Sequence, residues 1–365
     1  MREITVFCPT IGVGGVEKNL YLILNFLAKK KFKINLLTCS LDKKKKFDKK
    51  IKIIGPSNNH FNKSNQLTKV IICLIYFLKK DLIKKKTILF SFQSNILIIL
   101  FANLFNLKII SRINASPDVY LKNFVKRFLF KKIYKLSDLV IVNSFDLKKK
   151  IKNYINIDTK VIYNPVFNKR KNNSILKSKN VKTGDAVNLL NVGRLVSQKN
   201  QILLIKAMKY LRDKSKLKYN LIIIGNGDLY EFLIENIRKN DLSSNIKILR
   251  DVTDPTKFYL KSDYFILSSL YEGLPNALIE AISFKKISIS SDCPTGPREI
   301  LLNGKAGYLY QNGDYKKLAN TVLKAVNNKK ESQKKLNLAY RSLSRFDEKA
   351  NCKKYLSMLE QFIYD

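Results

Sequence analysis

Short apolar runs recur along this chain, separated by amphipathic or polar stretches of helical length, and that alternation leaves few folds open. The runs are the length of single strands, and the intervals are long enough for crossover helices. Together they predict parallel sheets covered by helices. Strands are expected at 4–9, 33–38, 52–54, 87–92, 108–112, 139–143 and 160–163. A second set is expected at 189–192, 220–224, 246–249, 264–267, 287–290 and 307–310. Helices are expected at 18–29, 201–211, 228–239, 255–261, 275–284 and 314–328. The stretch 167–187 is rich in Lys, Asn and Ser and poor in apolar residues, so it reads as a linker between domains at 1–166 and 188–345. Residues 346–365 follow as a last helical segment. At 365 residues the chain can bury two separate cores.

Two constellations sit where strands of such sheets end. Asn191-Val192-Gly193-Arg194-Leu195-Val196-Ser197-Gln198-Lys199-Asn200 leaves an apolar run through a glycine turn and enters a helix. Arg194 and Lys199, five apart, can converge on one pyrophosphate, the first as a planar fork of donors and the second as a movable point charge. In a chain with 69 basic residues the pair gains meaning only from its place, at the carboxyl end of a parallel strand, where α/β proteins bind ligands. Further on, Tyr271-Glu272-Gly273-Leu274-Pro275-Asn276-Ala277-Leu278-Ile279-Glu280-Ala281 sets two carboxylates eight apart around a turn. Pro275 suits the first turn of a helix. Asn276, Ala277 and Leu278 would then offer backbone N–H groups to an anion. Two solvated glutamates on an ordinary strand–loop–helix remain an alternative reading of that spacing alone.

Taken in order, Gly-Arg-x4-Lys at 193–199, Gly225-Asn226-Gly227 and Glu-x7-Glu at 272–280 resemble the retaining GT-B glycosyltransferases of family 4. The run Ser291-Asp292-Cys293-Pro294-Thr295-Gly296-Pro297-Arg298-Glu299 is similar to a version found in bacterial enzymes of surface polysaccharides and lipid-linked oligosaccharides. The resemblance implies two Rossmann-like domains facing a central cleft, an acceptor domain first and a nucleotide-sugar donor domain second, with the last helix crossing back to the first. It implies transfer of a hexose or N-acetylhexosamine from a nucleotide sugar, uridine diphosphate being the expected carrier, with retention and without metal or other cofactor. By the same resemblance Arg194, Lys199 and Glu272 form the catalytic group. Gly225, Gly273, Leu274, Asn276, Ala277, Leu278 and Glu280 hold the donor, Glu280 at the ribose. Gly14 and Gly15, in the glycine loop after the first strand, face the donor diphosphate or make room for the acceptor. Many relatives carry a histidine after the strand that here ends Ser111-Arg112-Ile113-Asn114. The lone His60 falls instead in an Asn- and Ser-rich loop, so Arg112 or Asn114 is the expected donor or acceptor contact.

Composition narrows the rest. Five scattered cysteines form neither a disulfide framework nor a zinc spacing, which fits a reducing cytosol. No signal peptide is expected, because residues 2–7 read as a strand. The apolar runs 70–78 and 96–105 are too short to span a bilayer. The net charge is +41, of which residues 1–180 carry 38 − 9 = +29 and the remainder 31 − 19 = +12. Residues 121–135 alternate cations and bulky apolar side chains at helical spacing. They fit a helix lying on an anionic membrane and, equally, a domain helix. Residues 66–86 offer a similar pattern, nine apolar residues flanked by lysines, for which a domain helix is the favoured reading and a membrane-surface helix the alternative. A polyprenyl-diphosphate-linked glycan is the expected acceptor, which would make the protein cytoplasmic and peripheral at the inner membrane face. The charge also raises a nucleic-acid binder, but the cations are dispersed and no binding module is recognised, so nucleic acid is not an expected partner. A GT-B epimerase and a catalytically weakened paralogue complete the alternatives.

Overall fold

The first strand, β1 (Arg2–Phe7), enters a sheet with β2 (Phe32–Leu37), β3 (Ile51–Ile54), β4 (Ile88–Ser91), β5 (Lys108–Ile113), β6 (Leu139–Val142) and β7 (Lys160–Val161). Its order is β3-β2-β1-β4-β5-β6-β7, and every pairing is parallel. A second sheet is built from β8 (Val187–Val192), β9 (Tyr219–Ile224), β10 (Ile246–Leu249), β11 (Tyr264–Leu267), β12 (Ile287–Ser291) and β13 (Tyr308–Tyr310). Its order is β10-β9-β8-β11-β12-β13, again all parallel. This computed structural model describes residues 2–364 except 13, 31, 57–60, 62–63, 81, 84–86, 118–120, 122 and 178–184. The expected strands are all present. His60 lies outside the described residues.

Parallel strands must be covered on both faces, so their side chains are apolar on both. β11 is the clearest case, with Tyr264, Phe265, Ile266 and Leu267 all buried. Each sheet reverses its winding once, between β1 and β4 in the first and between β8 and β11 in the second. Those are the topological switch points at which open α/β sheets part their loops and take ligands.

The chain divides into two compact units, Met1–Pro165 with Glu348–Asp365, and Val166–Asp347. In the first unit, helices Gly15–Ala28 and Glu348–Tyr364 cover one face of the sheet, with Cys352, Tyr355, Met358 and Leu359 inside the core. Full burial of side chains the size of Met358 and Leu359 contributes about 2 kcal/mol each. Helices Gln66–Lys79, Asn95–Leu104, Phe124–Tyr134 and Phe145–Ile155 cover the other face. Helices Gln201–Lys214, Tyr230–Lys239 and Tyr315–Asn327 supply much of the core of the second unit.

The expected linker at 167–187 is not one over most of its described length. Val166 and Phe167 donate their N–H groups to the Phe346 carbonyl at 3.1 and 2.9 Å, and Phe167 bridges to Asp347. Lys169–Lys177 is a helix. Its Asn172 is buried and donates to Ser283 Oγ at 2.8 Å, while Asn173 accepts from the Tyr340 hydroxyl at 3.0 Å. A polar composition hid a segment docked by the buried Phe167 ring against Tyr340 and by the amides of Asn172 and Asn173.

Candidate active site

β8 and β11 flank the switch point of the second sheet, and the loops that follow them meet there. After β8 the chain passes through Gly193 and Arg194 to a short 3-10 turn, Ser197–Lys199. Asn200, at φ 50°, then opens the helix Gln201–Lys214. Gly225 stands at the same height after β9. A methyl group there would lie 1.9 Å from the Gly193 carbonyl oxygen, and one on Gly227, at φ 155°, would lie 2.3 Å from that of Leu195. The glycines let the two backbones touch, and Leu195 N–H donates to Asn226 O at 2.8 Å.

Three hydrogen bonds stitch the β8 loop to the β11 loop: Leu270 N–H to Gln198 O at 2.8 Å, Gln198 Nε2 to Tyr271 O at 2.9 Å, and Ser268 Oγ to Lys199 O at 2.7 Å. Between them Lys199 Nζ forms an ion pair with Glu272 Oε1, and Ser269 Oγ donates to the same oxygen at 2.6 Å. The lysine side chain is 17% exposed and the glutamate 8%, so the pair is largely withdrawn from water. Thr295 Oγ1 donates to the Glu272 carbonyl. Gly296, at φ 89°, packs so closely that a methyl would stand 2.4 Å from Gly273 O. The sequence suggested a cation pair on one side and acids on another. Instead Lys199 and Glu272 neutralise each other, and Arg194 is the exposed cation of the group.

The helix after Pro275 is Asn276–Ser283. Pro275 caps it from outside, at ψ 106°, rather than occupying its first turn. The Pro275 carbonyl accepts from Leu278 N–H at 3.2 Å, so Leu278 does not offer the free donor expected of it. Gly273, Leu274 and Asn276 line the same turn and are buried. Glu280, one turn into the helix, accepts from Tyr259 Oη at 3.2 Å. Burial first, and the Glu280 charge second, raise the Tyr259 phenol well above its ordinary pKa, so it remains a hydroxyl donor.

In the first unit Gly14 precedes the helix Gly15–Ala28 in extended backbone. The Glu17 carboxylate folds back beside it, 2.7 Å from where a methyl on Gly14 would stand. A carboxylate there would repel a diphosphate and accept from a hydroxyl. Arg112 is not a surface contact: it is 1% exposed. Its guanidinium donates to Tyr355 Oη at 3.0 Å, to Asn164 Oδ1 at 2.7 Å and to Asn114 Oδ1, and it lies 5.3 Å from the Phe92 ring centroid. Asn114 is held in turn by donating to Phe92 O at 2.8 Å. Neutral acceptors on each guanidinium nitrogen and the Phe92 ring face let Arg112 sit buried without a carboxylate partner in contact.

No role was anticipated for Tyr259, Ser269, Thr295 or Glu17. Thr295 lies within the run 291–299 singled out above, Glu17 follows Gly14 by three residues, and two serines follow β11; nothing in the sequence points to Tyr259.

Residues 172–342 match the family described as glycosyl transferases group 1. An uncharacterized glycosyltransferase of Methanocaldococcus jannaschii is 37% identical over 179 residues, 47% of this chain and 44% of that protein. The chain thus spans under half of this relative's length. A Campylobacter jejuni enzyme, N-acetylgalactosamine-N,N'-diacetylbacillosaminyl-diphospho-undecaprenol 4-alpha-N-acetylgalactosaminyltransferase, is 28% identical over 331 residues, 85% of this chain and 86% of the enzyme. Among solved structures, Anabaena HepE in complex with UDP aligns at a TM-score of 0.77 and 15% identity, covering 99% of this chain and 100% of that one. That likeness concerns the fold, two parallel-sheet α/β units of GT-B type.

Proposed function

Because residues 172–342 belong to the group 1 glycosyl transferases and the chain has a GT-B fold, we propose that this protein moves a sugar from a nucleotide diphosphate to a glycan acceptor. The donor is a hexose or N-acetylhexosamine carried on uridine diphosphate, and the acceptor is linked to a polyprenyl diphosphate. The UDP of the HepE complex and the undecaprenol in the Campylobacter enzyme's name support these finer choices. The pathway is the synthesis of a surface glycan, and the protein works at the cytoplasmic face of the membrane.

The observation that carries the reading is the Lys199–Glu272 pair at the switch point between β8 and β11. Without donor the two charges satisfy each other. With donor, the diphosphate takes Lys199 together with Arg194, and Glu272 is released to accept from the sugar hydroxyls. Glu280, steadied by Tyr259, accepts from the ribose. Negative charge grows on the leaving diphosphate as the sugar becomes oxocarbenium-like, and preorganised cations lower that barrier. The acceptor hydroxyl attacks the anomeric carbon from the face the diphosphate leaves. Its proton passes to the departing phosphate oxygen, so the configuration is retained with no protein nucleophile. Arg194 and Lys199 supply the positive charge in this scheme, and it needs no metal.

A panel of nucleotide sugars assayed with lipid-linked acceptors tests it, comparing the parent with Glu272→Ala and Lys199→Ala. Both variants lose transfer while their circular dichroism stays that of the parent. Unchanged turnover in either removes that residue from the site, and isomerised sugar without acceptor points to an epimerase instead.

A further inference from the structure

The helices Gln66–Lys79, Asn95–Leu104 and Phe124–Tyr134 form neighbouring parts of one layer. Their inward side chains share a single core. The Phe77 and Phe101 rings meet edge to face at 5.4 Å, Asn95 Nδ2 donates to Tyr134 Oη at 2.8 Å, and Asn103 Nδ2 donates to Leu136 O at 3.0 Å. An amphipathic helix over a sheet turns a polar stripe outward. These three do not.

Leu67, Ile71 and Ile75 recur every fourth residue on the outside of the first helix and are 56, 48 and 42% exposed. Ile96, Leu100 and Leu104 do the same on the second, and Phe124 with Phe128, and Val125 with Leu129, on the third; Leu104 and Phe124 reach 79%. A spacing of four makes each set a continuous stripe. The helix at 66–79, for which the sequence favoured a domain helix over a membrane-surface one, is therefore apolar on two faces. In the second unit Leu217, Phe232, Leu270 and Leu338 are the exposed large apolar residues among those described, one to an element or loop. Exposed apolar surface gathered in one place marks a binding face.

The charge on the same helices says what it binds. They carry no Asp or Glu, and Lys79, Lys126, Lys131 and Lys132 stand on their outer side, while Lys69 is buried and Arg127 turns onto the Tyr154 ring. Lys132 Nζ lies 4.8 Å from the Phe128 ring centroid, its stem along the apolar stripe and its head at the edge. A second copy of a chain of net charge +41 would be repelled. No helix among the described residues is long and apolar enough to cross a bilayer, so the layer lies on a surface rather than through it.

We infer that these three helices form one docking face for an anionic lipid bilayer. It inserts the four-residue stripes among the acyl chains while the cations meet the headgroups. The inference deepens the reading of a lipid-linked acceptor and rests on it for its purpose, but its test needs no turnover.

The full chain is sedimented with vesicles of phosphatidylcholine alone or mixed with phosphatidylglycerol. The parent binds the anionic vesicles. Ile75→Ser/Leu100→Ser/Phe128→Ser, which leaves every charge in place, binds them at least about tenfold more weakly, as expected when apolar area leaves the interface. The control Leu217→Ser/Phe232→Ser binds as the parent does. Equal binding by the triple variant would reduce the effect to charge adsorption and overturn the inference. So would a parent that ignores anionic vesicles, or one that sediments as a dimer which the triple variant dissolves. The single variant Leu100→Ser, with a smaller loss in the same direction, keeps the test valid if the triple variant folds poorly. Transfer to a water-soluble acceptor is the same in parent and triple variant, so a failure of docking and a failure of the transferase reading appear in separate assays.

Discussion

Lys199 and Glu272 are 73 residues apart in sequence and share one hydrogen-bonded ion pair in space. Each could be picked from the sequence by its place after an apolar run. Their pairing could not, because it depends on β8 and β11 lying side by side. Removing one partner of a largely buried pair strands the other. Lys199→Ala therefore costs about 3 kcal/mol of stability in urea unfolding besides its loss of transfer, and Lys199→Ala/Glu272→Ala costs less than the sum of the single changes. Tyr259 was invisible in the sequence for a different reason: nothing in a tyrosine five residues before a strand announces a bond to a glutamate on the next helix. Tyr259→Phe is expected to cost about 1 kcal/mol and to raise the KM for donor several-fold with little change in kcat, since the hydroxyl orients Glu280 without touching the reacting atoms. Other buried phenols set an alkaline limit. Burial, with Glu17 and Asp263 respectively, pushes Tyr21 and Tyr264 up to about 12. The unfolded chain ionises its phenols near ~10. Unfolding therefore releases protons above that pH, and the stabilisation these two provide is complete below about pH 9 and lost between ~10 and ~12. A urea midpoint that stays level through that window would contradict the assignment.

Among the elements, strands were the most legible. Residues 246–249 and 264–267 match their predicted limits, because a short run buried on both faces has to be apolar throughout. Helix positions were legible where one face alone is apolar. The sequence misled where that assumption broke. Lys169–Lys177 docks by Asn172 and Asn173 and so looked like a linker, and Gln66–Lys79 has two apolar faces of which periodicity cannot name the inner one. The turn at Pro275 was placed one residue late for a cap, and that shift closes one of the three expected N–H donors. Gly225 gives a sharper test of the loops. Gly225→Ala forces the β8 and β9 exits apart, against a carbonyl 1.9 Å from the new methyl, and is expected to destabilise by about 3 kcal/mol and to lower donor affinity with it. A melting curve unchanged from the parent would show that the exits can separate freely.

At the scale of the molecule, the two units have separate sheets and separate cores, and the residues proposed to grip the diphosphate and ribose, Arg194, Lys199 and Glu280, belong to the second. UDP at about one hundred times its dissociation constant should stabilise the second unit by about 2.7 kcal/mol and leave the first unmoved, which calorimetry would register as one shifted transition beside one fixed transition. A parallel shift of both would mean that the units unfold together. The helix Glu348–Tyr364 adds a consequence for how the protein is made. On the ribosome, residues 166–347 emerge before the segment that closes the core of the first unit. The amino-terminal sheet must therefore wait, one flank covered only by the helix Gly15–Ala28, while the sheet encoded after it is translated. A synthesis pause or a nonsense codon near position 348 would leave the later-made half able to fold and the earlier-made half without its final wall.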